Sequence, residues 1–88
     1  MRGRDLLALN VRRIRVAKGV SQERLAFDAG IDRSYLGGVE RAQANPTVDV
    51  LDRIAHTLDV PLASLFAAAE VGPAKDLSLP RGRKSRNV

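Results

Sequence analysis

Eighty-eight residues with fifteen Lys/Arg, ten Asp/Glu, one histidine and no cysteine suffice for one small domain and leave no thiol for a disulfide or a thiolate metal site. The net charge of +5 draws such a chain towards polyanions, either nucleic acid or an anionic membrane surface. Its placement is uneven, since residues 1–69 hold ten Lys/Arg against eight Asp/Glu while residues 70–88 hold five against two. The lone His56 has no neighbours with which to build a zinc site or a Ser/His/Asp triad, so no metal, no cofactor and no enzymatic chemistry is expected. No apolar run approaches the roughly 18 residues of a membrane span. The charged start Met1-Arg2-Gly3-Arg4-Asp5 leads straight into a helix pattern studded with arginines. A secretory signal is therefore not expected, and the cytoplasm is the expected location.

Leu7, Val11, Ile14 and Lys18 fall on one helical stripe, flanked by Leu6, Asn10 and Ala17, with Arg12, Arg13 and Arg15 mostly off it. This spacing predicts an amphipathic first helix capped by Asp5 and ended by Gly19. Ser21 caps a second helix with Leu25, Ala26 and Ala29 inward, and Gly30 stops it. Asp32 caps a third helix, Arg33 to about Arg41, with Leu36 and Val39 inward. Asn45-Pro46 marks a turn, after which Thr47 caps a fourth helix striped by Val50, Leu51, Ile54, Ala55 and Leu58. Pro61 suits the first turn of a short fifth helix whose Leu62, Leu65 and Phe66 face inward. No segment alternates with period two for long enough to be a strand.

The fold class read from this pattern is all-α: a compact five-helix domain over residues 1–71. From Gly72 onward Pro73, Pro80, Gly82 and the basic run Arg81-Gly82-Arg83-Lys84-Ser85-Arg86 interrupt any periodicity, and 72–88 is expected to be a disordered basic tail.

Two adjacent short helices joined by a tight turn containing glycine form the helix-turn-helix unit, here about residues 22–41. Ala26 is small where the third helix must cross closely, and Gly30 stands where a left-handed turn disfavours a Cβ. Ile31, Leu36 and Val39 pack the third helix onto the first two. The joint occurrence of these residues at fixed offsets carries the reading, not the net charge.

The stretch Val11-x-x-Ile14-Arg15-x-x-Lys18-Gly19-Val20-Ser21-Gln22-Glu23-x-Leu25-Ala26-x-x-x-Gly30-Ile31 continues through Ser34-Tyr35-Leu36-x-x-Val39-Glu40-Arg41. Asn45-Pro46-Thr47, Leu51-x-x-Ile54-Ala55-x-x-Leu58 and Leu65-Phe66 follow. Together they resemble the phage Cro/repressor-like (Xre-type) helix-turn-helix family. The resemblance implies a lambda-repressor-like fold, double-stranded DNA as partner and a third helix in the major groove. Ser21 and Gln22 would then stand at a helix N-terminus facing a phosphate, with Asp32 opening the third helix. Arg33, Ser34 and Tyr35 would enter the groove, where Arg33 can donate two hydrogen bonds to a guanine edge. Arg41 and Asn45 would contact the backbone without reading sequence. Arg15 and Glu40 match a structural ion pair between the first and third helices.

One departure from the family pattern concerns Gly38, preceded by Gly37, where relatives offer a base-reading side chain. The expectation is close approach of this face to the DNA backbone or a groove edge, with specificity concentrated on Arg33 and Ser34 and supplemented by DNA shape. The resemblance further implies a homodimer on a pseudo-palindromic operator, and the apolar segment Leu62, Leu65, Phe66 and Ala67–Ala69 is the expected contact. A transcriptional regulator, repressor or autoregulator, is the leading reading. The same fold serves antitoxins, for which Leu77 and Leu79 in the tail would meet a protein partner, and controllers of restriction–modification operons. A non-DNA adaptor holding protein or RNA stays open. Arg2 and Arg4 fit an arm on the DNA backbone, Arg12 and Arg13 a solvated helix face, and the tail cations either counterion release or solubility.

Overall fold

The computed structural model describes residues 2–68, and the expected tail, 72–88, lies outside them. Four α-helices run in chain order as α1 (Gly3–Ala17), α2 (Gln22–Ala29), α3 (Arg33–Glu40) and α4 (Val48–Leu58), followed by a 3₁₀ helix, Leu62–Phe66. There is no strand among the described residues. The apolar stripes meet in one core in which Val11, Leu25, Leu36, Ile54 and Leu65 are fully buried. Val20, Ile31, Val50 and Leu62 close its margin.

Local chemistry accounts for most boundaries. Ser21 Oγ accepts from the Arg24 N–H at 3.0 Å, Asp32 Oδ2 from Ser34 and Tyr35 at 3.0 and 3.3 Å, and Thr47 Oγ1 from Val50 at 3.1 Å. Each cap satisfies donors that the first helical turn leaves open. Helix α2 ends on Gly30 in the left-handed region (φ 71°). The Ile31 N–H reaches the Ala26 carbonyl at 2.9 Å and the Gly30 N–H the Phe27 carbonyl at 3.2 Å, the paired bonds of a Schellman turn. The same turn closes α3, but there Ala42 occupies the left-handed position (φ 61°). Gln43 donates to Gly38 at 2.8 Å and Ala42 to Val39 at 3.1 Å.

Four expectations are corrected. Helix α1 begins at Gly3, with Arg2 as its N-cap residue and no side-chain cap bond; Asp5 instead sits in the first turn. Its carboxylate there faces the positive end of the helix dipole and pairs with Arg2 at 3.4 Å. Lys18, expected on the inward stripe, is exposed at the helix end.

The fifth element is a 3₁₀ helix rather than an α-helix. Asn10, fully buried in α1, ties the end of this element to the first helix. Its Nδ2 donates to the carbonyls of Leu65 (3.3 Å), Ala67 (2.9 Å) and Leu6 (3.0 Å). The carbonyls of Leu65 and Ala67 stand at the C-terminal end of the element, where they have no helical partner, and Ser64 donates to Pro61 at 2.9 Å in the i→i+3 bond of a 3₁₀ turn. The fourth correction concerns the expected dimer contact. Leu65 is 0% exposed within the single chain and belongs to the core, whereas Phe66 points outward at 42%.

Candidate nucleic-acid interface

On α3 Leu36 and Val39 face inward, and the opposite stripe carries Ser34, Gly37, Gly38 and Arg41, spaced at i, i+3, i+4 and i+7, with Gly37 itself buried. Arg33, Ser34 and Arg41 are exposed and Tyr35 is 36% exposed. The Asp32 carboxylate is spent on the Ser34 and Tyr35 N–H groups, so its part is to set the first turn of α3. Asn45 is exposed on the loop to α4 and Ser21 is exposed at the start of α2. The sequence-predicted positions thus lie along α3, at the start of α2 and on the loop to α4.

A buried ion pair underlies this surface. Arg15 Nε meets Glu40 Oε2 at 2.6 Å and Arg15 NH2 meets Glu40 Oε1 at 2.9 Å; NH1 donates to the Val20 carbonyl at 2.8 Å. The Arg15 side chain is 12% exposed and that of Glu40 3%. The fork geometry matches carboxylate to guanidinium, and it ties α1, the α1–α2 turn and α3 together. Hydrogen bonding to Glu40 holds the Arg15 pKa above its usual value, against the opposing effect of burial.

Gln22 links this pair to the surface. Its Nε2 donates to Glu40 Oε1 at 3.0 Å and its Oε1 accepts from Arg33 NH1 at 3.1 Å. The carboxylate can only accept, so it turns the amide nitrogen inward and leaves the amide oxygen for Arg33. Glu23 lies 3.9 Å from Arg33 Nε, both groups being largely exposed, a contact of little energetic weight. The Gln22 side chain is therefore committed to Glu40 and Arg33 in the free protein, a role that position alone did not reveal.

The two glycines differ. A Cβ on Gly38 would meet Ala44 Cβ at 3.6 Å, an ordinary contact, and this residue is half-buried under the loop to α4. The tight position is Gly37, where a Cβ would lie 2.9 Å from Arg41 NH1. Sequence reasoning put the weight on Gly38; the i, i+4 spacing of Gly37 and Arg41 was the available signal for the other choice. Asn10 and Gln43, whose Oε1 accepts from Arg41 Nε at 3.1 Å, were likewise not singled out as site or anchor residues. Among the described residues no group of His, Cys, Asp and Glu is arranged to hold a metal ion, and no helix is long and apolar enough to cross a membrane.

This arrangement of capped helices, with an exposed polar α3 braced from beneath, is that of a helix-turn-helix DNA-binding domain. The family described as Helix-turn-helix matches residues 11–65. The chain belongs to this Xre-type helix-turn-helix family of DNA-binding transcription regulators.

It is 44% identical over 57 residues to a hypothetical transcription factor of Neisseria meningitidis, covering 65% of this chain and 54% of that one. It is 39% identical over 63 residues to the control protein C.SmaI of Serratia marcescens, covering 72% of this chain and 75% of that one. The chain thus spans about half the length of the Neisseria relative, and it spans 39% of the Bacillus subtilis regulator SlrR. Among solved structures, the restriction-modification controller C.AhdI of Aeromonas hydrophila superposes with a TM-score of 0.70 at 44% identity. That match covers 72% of this chain and 96% of the controller.

Proposed function

We propose that this chain is a sequence-specific transcriptional regulator that lays α3 in the major groove of a palindromic operator as a homodimer. The observation that carries the reading is the relay Arg15–Glu40–Gln22–Arg33, which presents a guanidinium at the start of α3 from a buried, hydrogen-bonded base. An arginine so placed is suited to the O6/N7 edge of guanine. Ser34 and Tyr35 stand beside it for a neighbouring base or thymine methyl. Asn45 and the backbone N–H groups at the N-terminus of α2, beside Ser21, serve phosphates. The half-buried Gly38 supports the loop, leaving little contact of its own with DNA.

Regulation needs no catalytic step, and we read the chain as a cytoplasmic protein acting through abundance. The near-complete coverage of C.AhdI and the large share of C.SmaI matched favour a controller of a restriction–modification operon among the regulators of this fold. For the dimer, the core position of Leu65 leaves Phe66, with Leu62 at its margin, as the apolar group available to a second copy.

The test is selection of bound duplexes from a random pool with the full chain, followed by titration at several salt concentrations. Two half-sites with two-fold symmetry, each containing a guanine whose loss is tolerated only by Arg33→Ala, are expected. Absent or salt-insensitive binding overturns the proposal in favour of a protein- or RNA-binding adaptor.

A further inference from the structure

We infer that Arg41 is a second base-reading side chain, held back over Gly37 onto the groove-facing stripe of α3, and not an anchor for the DNA backbone. The inference rests on the DNA-binding reading above and deepens it. Side chains on a helix lean towards its N-terminus, so residue 41 runs back over residue 37. With Gly37 in place the Arg41 guanidinium occupies the space a side chain would fill. An ideal Cβ there would stand 2.9 Å from NH1, 3.8 Å from Cζ and 3.9 Å from NH2, the first well inside ordinary contact distance of about 3.5 Å.

The other end of the arrangement comes from the loop. The left-handed turn at Ala42 brings Gln43 back to the Gly38 carbonyl at 2.8 Å, and the Gln43 side chain accepts from Arg41 Nε at 3.1 Å. With Nε engaged, among the described residues NH1 and NH2 carry no hydrogen bond to protein and no carboxylate lies within ion-pair distance of Arg41. A planar fork with its outer nitrogens open, lying on the stripe shared with Ser34, is the donor pattern that pairs with guanine O6 and N7.

The glycine pair also becomes intelligible. Each glycine costs about 1 kcal/mol of helix stability relative to alanine. Gly37 is the one whose absent side chain makes room, and the base contact missing at 37 and 38 is supplied from one turn further on. Two arginines of one helix, Arg33 at its start and Arg41 returning from its end, then read two separate guanines of each half-site.

The experiment compares wild type, Arg33→Ala, Arg41→Ala, Arg41→Lys and Gly37→Ala. Each is titrated by fluorescence anisotropy against the selected operator and all its single-base variants, with melting by circular dichroism in parallel. Arg33→Ala is expected to relax one guanine. Arg41→Ala and Gly37→Ala are expected to relax a second, each losing about 5- to 150-fold of discrimination there. Arg41→Lys should keep the salt slope while losing that preference. Gly37→Ala should melt no lower than wild type, since alanine is the better helix former and the atom it displaces is the end of a flexible side chain.

Uniform weakening of all duplexes by Arg41→Ala, with a salt slope reduced by about one, overturns the inference and makes Arg41 a phosphate contact. Retention of the second guanine by Gly37→Ala overturns it equally. If the wild-type chain selects no sequence at all, the DNA-binding proposal itself falls, and that result is separate from either of these.

Discussion

Glu40→Ala removes the acceptor on which the interface is built. In the native chain this carboxylate, 3% exposed, receives Arg15 Nε and NH2 and Gln22 Nε2. Truncation leaves a guanidinium at 12% exposure with the Val20 carbonyl as its remaining partner. Breaking a buried pair from one side costs about 3–5 kcal/mol. Retention of the Val20 bond and access of some water put this case near the lower end, about 3 kcal/mol. At about 4–8 °C per kcal/mol for a domain of this size, the melting temperature should fall by roughly 12–24 °C.

The substitution also frees the Gln22 amide and with it Arg33, so base discrimination at the Arg33 guanine should decline even at temperatures where the variant is folded. Circular dichroism melting gives the first quantity and anisotropy titration at low temperature the second. A companion variant, Arg15→Met with Glu40→Leu, removes both charges and should recover most of the lost stability without restoring discrimination. If Glu40→Ala melts within about 1 kcal/mol of wild type, the argument that a buried charge pair organises this surface is refuted.

Three further outcomes follow from the same geometry. Gln22→Ala should leave melting nearly unchanged but reduce discrimination at the Arg33 guanine, whereas an equal loss for every duplex in the titration would return Gln22 to a simple phosphate contact. Asn10→Ala strands the carbonyls of Leu65 and Ala67 and should cost about 1–3 kcal/mol in urea unfolding, with increased hydrogen exchange confined to residues 62–67; exchange that rises evenly through α2 and α3 would contradict that account. Ala42→Gly relieves a left-handed alanine (φ 61°) and should gain about 0.5–1 kcal/mol, seen as a higher melting temperature; a lower one would mean that the turn is not strained.

Much of the fold was legible in the chain. Ser21, Asp32 and Thr47 cap α2, α3 and α4 as their chemistry predicts, and Gly30 ends α2 in the left-handed region. The stripes Leu7–Val11–Ile14 and Leu51–Ile54–Leu58 are buried as the 3.6-residue period requires. The candidate site was partly legible too: Arg33, Ser34, Tyr35 and Arg41 stand exposed on α3 or at its end, and Arg15 meets Glu40. These features depend on spacing within one helix, or on a pair of residue types that the family resemblance implies.

Local sequence alone determined the helix-turn-helix itself, because caps, a left-handed glycine and helical periodicity are short-range effects that each residue reports within one or two turns. Contacts across the chain decided what that unit does with its side chains. Asn10 reaches residues 55 and 57 positions away and anchors the end of the last element, a contact that no local pattern records. Leu65 reads as apolar whether it faces a core or a partner, and only closure of α1 and α4 over it settles the matter. Gln22 takes its orientation from a carboxylate 18 residues on, and Arg41 takes its course from a glycine one turn back and a glutamine beyond the bend. The capped helix α3 is thus a property of the sequence, and the direction in which its arginines point is a property of the packed molecule.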